Sequence, residues 1–377
     1  MSRLFEPAKI QQMSLPNRFV RSATYDGCAA ETGHVTEKQL QLFAALAEGG
    51  TGLIVTGIAY VHPLGQISPF QNSIADDDCI PGLRQLTDSV HERGAKIAVQ
   101  LFHAGREAAG FLKTKNQQAM SASVLPDDPY FKRPCRSMRT EEIETVIESF
   151  ADAAQRARQA GFDAVQLHGA HAYLLSQFLS PYTNRRADEW GGSLANRLRF
   201  HQEIYKAIRQ KVGPAYPVLI KIGVADGFAG GLTAEEGKMA AGLLAQEGYD
   251  ALEISQGLRG KPYEETEFRT RINRPEREAY FRDWCKAVKA NVDVPVMMVG
   301  GLRSLSLMAA VLENQEADFI SLCRPLIKEP GIVGLWQSGN PRQPTCISCN
   351  QCYEALRKGK PLHCVQENKE KKDQQKG

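Results

Sequence analysis

Eight short apolar runs, separated by longer amphipathic stretches, constrain this chain more than any other feature. They are Phe19–Ser22, Gly52–Val61, Lys96–His103, Ala164–His168, Pro217–Gly223, Ala251–Ser255, Pro295–Gly300 and Phe319–Cys323. Strands that alternate with helical patterns read as successive βαβ units of a parallel sheet. The clearest helical pattern starts at Thr140, the expected N-cap. Ile143, Val146, Ile147, Phe150, Ala154 and Ala157 then form one apolar stripe, which Gly161 ends. Another starts at Thr233, with Glu236 placed to complete a capping box. Eight such units fit an α/β (β/α)8 TIM barrel with insertions better than an open sheet.

The bulk properties narrow the function. A net charge of +3 argues against nucleic acid or an anionic membrane as partner. No apolar run is long enough for a membrane span, and the N-terminal residues lack the apolar core of a secretory signal. A cytoplasmic location is therefore expected. The long connection from Gly105 to Thr140, with Phe111, Asp127, Asp128, Tyr130 and Phe131, is expected to cover the active site.

Chemistry concentrates at the ends of the apolar runs, where a barrel gathers its catalytic groups. His168, His171 and Tyr173 fall within six residues after the fourth run. Two imidazoles can donate N–H bonds to one substrate oxygen, and a phenol can deliver a proton. A polar loop with two satisfied histidines is the bland alternative. The seventh and eighth runs end in Gly300-Gly301 and Cys323-Arg324. Loops at these places often bind phosphate through backbone N–H groups and a helix N-terminus; a tight turn beside a surface arginine is the competing reading. Gln100 and Lys221 lie inside strands. Each needs a polar partner there: a ligand, or an internal bridge such as Lys221 with Glu253.

The motifs together resemble the old yellow enzyme family, FMN-dependent ene reductases and their relatives, over residues 3–337. They include Leu4-Phe5-Glu6-Pro7, Asn17-Arg18-Phe19, Gln100 with His103-Ala104-Gly105-Arg106, and His168 through Leu174. They continue through Phe178-Leu179-Ser180-Pro181 to Asp188-Glu189-Trp190-Gly191-Gly192-Ser193. The resemblance implies an FMN across the barrel mouth. Gln100 would hold its pyrimidine edge, and Lys221 would stand near N1 and O2, where relatives usually have arginine. Ala23, Thr24 and Tyr25 would pass under the ring, and Gly300, Gly301, Cys323 and Arg324 would hold the phosphate. His168 and His171 would bind the substrate's activating oxygen, and Tyr173 would be the proton donor. NADH or NADPH would reduce the flavin, and an α,β-unsaturated carbonyl would be the substrate.

Nine cysteines in a chain without a secretory signal argue against disulfides. Cys346, Cys349, Cys352 and Cys364 crowd the C-terminal region. Four thiolates suit a [4Fe–4S] cluster or a zinc ion. The spacing resembles the iron–sulfur branch of the same family, which includes trimethylamine dehydrogenase and 2,4-dienoyl-CoA reductase, and so favours the cluster. Two departures stand out. Those relatives continue into nucleotide-binding domains, and none is expected here. 2,4-Dienoyl-CoA reductases lack the histidine pair, and trimethylamine dehydrogenase has tyrosine where His168 stands.

The expected organisation is an FMN-binding barrel over residues 1–340, a four-cysteine segment over 341–365 and a solvated tail over 366–377. The expected function is reduction of activated C=C bonds. An electron-transfer subunit with a redox partner protein and an amine-type dehydrogenase are the alternatives. A homo-oligomer is left open.

Overall fold

The computed structural model describes residues 3–126, 128, 131–132, 134–259 and 266–367. Eight parallel strands close into a barrel: β1 (Phe19–Arg21), β2 (Leu53–Tyr60), β3 (Lys96–Phe102), β4 (Ala164–Gly169), β5 (Val218–Gly223), β6 (Ala251–Ser255), β7 (Val296–Met298) and β8 (Phe319–Leu322). Each pairs with its sequence neighbours, and β8 and β2 both pair with β1, which shuts the ring. All eight coincide with the apolar runs, as the (β/α)8 reading expects. The short strand Asn72–Ser73 adds to the outside of β2.

The outer ring contains α1 (Glu37–Glu48), α2 (Ile80–His91), α3 (Thr140–Gln159), α4 (Leu194–Val212), α5 (Ala234–Glu247), α6 (Arg282–Lys289), α7 (Leu305–Glu313) and α8 (Ile332–Gln337). Thr140 is the first helical residue of α3 rather than its cap. Arg139 takes the cap position because Glu142 Oε2 accepts from Arg139 N at 2.9 Å. Gly161 follows the last turn with φ of +90°, a backbone state that glycine adopts without steric cost. Thr233 does cap α5, accepting from Glu236 N at 3.2 Å. The Glu236 carboxylate pairs instead with buried Arg197 at 2.5 Å, so no reciprocal box forms. No helix among the described residues is long and apolar enough to cross a membrane.

Inward-facing side chains stack in layers drawn from alternate strands, as barrel geometry requires. At the bottom, Val20, Ala98, Leu219 and Met297 come from odd strands; Leu53, Ala164, Ala251 and Phe319 come from even ones. The hairpin Ala8–Ile10 with Met13–Leu15 plugs this end with Ile10, Met13 and Leu15. Higher up the interior turns polar: Thr56, Gln166, Glu253 and Ser321 from even strands, then Ser22, Gln100 and Lys221 from odd ones. A bulge in β2 between Val55 and Ile58 accompanies this change. Gly57 in the bulge lets the Thr24–Tyr25 backbone pass close by; a Cβ there would lie 3.0 Å from Thr24 O.

Candidate active site

A cavity of about 510 Å³ lies across the C-terminal mouth of the barrel. Ser22, Gln100 and Lys221 form its floor. Lys221 Nζ donates to Ser22 Oγ at 2.8 Å and lies 3.2 Å from Glu253 Oε2. An ammonium has three N–H donors, so one remains for a ligand. Gln166 Nε2 donates to the same Glu253 oxygen at 3.0 Å, and Gln100 Nε2 donates to Gln166 Oε1 at 2.8 Å. Gln100 therefore offers its carbonyl oxygen and second amide hydrogen upward. The internal bridge and the ligand-facing role expected as alternatives for Lys221 occur together, since it lines the cavity while paired beneath it.

The loop after β4 builds one wall. His171 and Ala172 both occupy the left-handed region, with φ of 60° and 67°. Such residues cost stability and need surrounding bonds to hold them. His171 N donates to Gln256 O at 3.0 Å, and buried Gln177 donates to Ala172 O at 2.6 Å and Ala104 O at 3.1 Å. Gln177 Oε1 accepts from Arg106 N and Ser121 Oγ, each at 3.1 Å, which fixes its amide in turn.

His168, His171 and Tyr173 converge on the cavity. The His168 ring centroid lies 5.0 Å from that of His171 and 4.9 Å from that of Tyr173, both edge-on. Phe102 packs edge-on against Tyr173 at 4.5 Å. Burial, then the charges of Lys221 and Arg259, hold His168 well below the usual imidazole range. Burial, then His168, Lys221 and Arg259, do the same for His171. Burial pushes the Tyr173 phenol up to about 12, opposed by Arg259. At neutral pH the wall thus presents two neutral imidazoles and a protonated phenol. His171 Nε2 lies 2.7 Å from Ser255 Oγ; a hydroxyl donating there leaves the ring proton on Nδ1.

The opposite end is cationic. Arg324 donates to Arg269 O and Asn350 Oδ1, each at 2.7 Å. Arg303 donates to Pro344 O at 2.9 Å and to Ile272 O. Among the described residues both guanidiniums are held by neutral oxygens, so their charge is available to an anion. Gly301 lines the cavity, while Gly300 lies behind it against Tyr280 and Phe281. Their φ values are +75° and +128°. A Cβ on Gly301 would lie 2.8 Å from the Tyr280 ring. At the N-terminus of α7, expected to be open to phosphate, a carboxylate of the chain itself already stands. Glu278 Oε2 accepts from Arg303 N at 2.7 Å and Ser304 N at 2.8 Å, and Oε1 accepts from Ser304 Oγ at 2.6 Å. An anion here would have to rely on Gly301, Cys323 and the arginines rather than on that helix end.

Ala23, Thr24, Tyr25 and Cys323 complete the floor's rim. Thr24 Oγ1 lies 3.2 Å from Cys323 Sγ, and Tyr25 OH lies 2.6 Å from Ser68 Oγ. The Gly105–Thr140 connection contains short helical turns and the strand pair Ala119–Ser121 with Cys135–Ser137. None of its described residues lines the cavity. Phe111 and Phe131 instead pack against the apolar cluster of Phe102, Ala108 and Leu112, which Tyr173 also joins. Asp127 and Tyr130 lie outside the described residues.

The cysteine segment is part of this site rather than a remote appendage. Its helix α9 (Gln351–Arg357) contributes Cys352, Tyr353, Leu356 and Arg357 to the cavity wall. Leu362 N donates to Asp26 O at 2.7 Å, and Asn350 Nδ2 donates to Phe268 O at 2.8 Å, which stitches the segment to the barrel mouth. Cys346, Cys349, Cys352 and Cys364 share a second, small cavity of about 20 Å³ with Arg324 and Ile347. Among the described residues no group of three or more His, Cys, Asp or Glu is poised to hold a metal ion. Residues 368–377, most of the expected tail, lie outside the described residues.

Sequence reasoning missed Gln166, Ser255, Arg259 and Glu267. Arg259 pairs with Glu267 at 2.6 Å and lies 5.9 Å from the Tyr173 ring centroid. The inward alternation along β4 and β6 places Gln166 and Glu253 on the interior face, a signal visible in the sequence. Nothing in the sequence places Arg259 and Glu267 together.

Comparison with known proteins agrees with this architecture. The chain is 34% identical over 368 residues to a metal reductase of Desulforamulus reducens, covering 97% of this chain and 53% of that one. It is 29% identical to a 4,4'-dithiodibutanoate disulfide reductase of Rhodococcus erythropolis, covering 96% and 94%. A solved 2-naphthoyl-CoA reductase in complex with 2-naphthoyl-CoA superposes with a TM-score of 0.88 at 27% identity, covering 96% and 56%. The chain thus spans about half the length of the first and third of these relatives. Residues 3–343 match one family model in full order, and the chain belongs to the NADH:flavin oxidoreductase / NADH oxidase family, the old yellow enzyme family that its motifs resemble.

Proposed function

We propose that this chain binds FMN across the barrel mouth and reduces the C=C bond of an α,β-unsaturated carbonyl. The observation that carries the reading is a single cavity with three complementary surfaces: the Gln100–Lys221 floor, the Arg303–Arg324 end, and the wall of His168, His171 and Tyr173. The residues fit the cofactor. A flavin's pyrimidine edge presents an N–H between carbonyl oxygens, which matches the acceptor of Gln100 and the donor of Lys221. Ser321 Oγ, which lines the cavity and is buried without a partner among the described residues, gains one beneath such a ring. The arginines meet the phosphate.

When bound, FMN supplies the hydride for substrate Cβ, and NADH or NADPH restores it. The chain's own residues do the rest. His168 and His171 donate N–H bonds to the carbonyl oxygen, which gains negative charge as Cβ becomes saturated. Neutral imidazoles suit this, because they donate without surrendering a proton. Tyr173 passes its proton to Cα and recovers one from solvent. Cys346, Cys349, Cys352 and Cys364 would be the ligands of a [4Fe–4S] cluster, with zinc the competing occupant; all four line one small cavity, although as placed no three of them are poised around a metal ion.

The test is anaerobic turnover of 2-cyclohexenone with NADH and NADPH, together with identification of the released flavin and iron and zinc analysis. FMN and enone reduction are expected; protein that binds no FMN overturns the reading. A second reading, reduction of an organic disulfide bearing carboxylates, is favoured by the near full-length match to the Rhodococcus enzyme. Turnover of 4,4'-dithiodibutanoate but not of the enone would select it.

A further inference from the structure

Glu253 lies under the floor of the cavity rather than in it. It is fully buried and lines no part of the cavity. Its Oε2 accepts from Gln166 and lies 3.2 Å from Lys221 Nζ. Its Oε1 is buried with no hydrogen-bond partner among the described residues. A carboxylate in such a place is costly, and a neutral side chain would bridge Gln166 more cheaply. What a neutral side chain lacks is direction. An ionised carboxylate only accepts. Gln166 must therefore turn its NH₂ group down to Glu253 and its oxygen toward Gln100. Gln100 must then donate sideways, which leaves its own oxygen facing the cavity. A glutamine at position 253 would satisfy the same chain run in either direction.

Charge is the second consequence. Lys221 faces the ligand from above the same carboxylate. Glu253 offsets the lysine's positive field where the pyrimidine edge lies, and that edge carries more negative charge in the reduced flavin than in the oxidised one.

Building on the FMN reading, we propose that Glu253, acting through Gln166 and Lys221, is a positioning residue that fixes the donor–acceptor order of the floor and sets how strongly the floor favours reduced over oxidised flavin. The role is electrostatic and directional, so it predicts shifts of opposite sign for substitutions of the two charged partners, Glu253 and Lys221. Glu253→Gln removes the offset and should raise the midpoint potential of the bound flavin. Lys221→Met removes the positive charge that Glu253 offsets, and should lower it. A tenfold change in relative binding of the two redox states corresponds to about 30 mV for a two-electron couple.

The experiment measures the midpoint potential of the FMN-loaded wild type and both variants by spectroelectrochemistry, and FMN affinity by quenching of flavin fluorescence. Opposite shifts support the proposal. An unchanged potential in Glu253→Gln, or two shifts of the same sign, overturns it, including where affinity falls in both variants, as it would for a merely structural contact. Wild-type protein that binds no FMN instead overturns the functional reading itself.

Discussion

Arg324 Nη1 lies 2.7 Å from Asn350 Oδ1, so the arginine that follows the last barrel strand is fastened to a residue between two of the clustered cysteines. The same side chain lines both the large cavity and the small cysteine-lined one. Whatever orders the cysteine segment therefore also orders the cationic end of the main site.

Cys349→Ala should consequently do more than remove metal. Loss of about four irons per chain is expected on the cluster assignment. FMN retention should fall as well, because α9 and Asn350 lose their anchor. Iron and flavin are measured on the same gel-filtered sample. Full FMN occupancy with iron gone would show that the two sites are independent.

Removing the imidazole donors tests the substrate wall. His168→Ala with His171→Ala should leave FMN bound but weaken phenol and enone binding sharply. Loss of one preorganised donor to an oxyanion costs on the order of 3 kcal/mol. An unchanged spectral titration of the oxidised flavin with a phenol would place the ligand elsewhere.

Tyr173→Phe should slow flavin reoxidation by an enone by roughly 10²–10⁴-fold while sparing flavin reduction by the nicotinamide. The phenol's value of about 12 lies above its ordinary one, so its proton is held throughout the neutral range. The half-reaction should therefore show no loss of acid catalysis between about pH 6 and about pH 9. Stopped-flow traces in which both half-reactions slow alike would remove the tyrosine from proton delivery.

Stability should weaken in acid, and His201 is one identifiable cause. Its ring is buried in α4 with no partner on either nitrogen among the described residues, and burial depresses it to about 3. The unfolded chain takes up a proton near the ordinary histidine value while the folded one does not. This contribution is therefore complete above about pH 6.5 and is lost as pH falls toward 3. His103, also brought to about 3, adds to the same slope. His201→Leu should raise stability at neutral pH by about 1–3 kcal/mol. It should also narrow the gap between melting temperatures at about pH 5 and about pH 7.5. An unchanged gap would mean that His201 finds a partner in solution.

The barrel was legible because each strand is a short apolar run bounded by turn residues, so β1 to β8 coincide with the eight segments read from the sequence to within a few residues at each end. The convergence of His168, His171, Tyr173, Gln100 and Lys221 on one cavity follows from their places in the C-terminal halves of strands or in the loop that follows. What escaped the sequence depends on distant partners. The Glu278 carboxylate at the start of α7 comes from a segment 25 positions before Arg303, and no local pattern announces it. The lining role of α9 depends on contacts such as Leu362 with Asp26, made between opposite ends of the chain. The Gly105–Thr140 connection was long enough to be a cover, but its described aromatic side chains Phe111 and Phe131 pack against the Phe102 cluster instead.

The layering of the barrel interior bears on how such a protein can change over time. The floor groups Gln100 and Lys221 come from β3 and β5, and the groups beneath them, Gln166 and Glu253, from β4 and β6. Mutational libraries confined to cavity-lining positions would never sample Gln166 or Glu253. Drift in the buried layer could retune redox behaviour while every visible contact stayed the same, so two family members with identical pockets need not share a driving force.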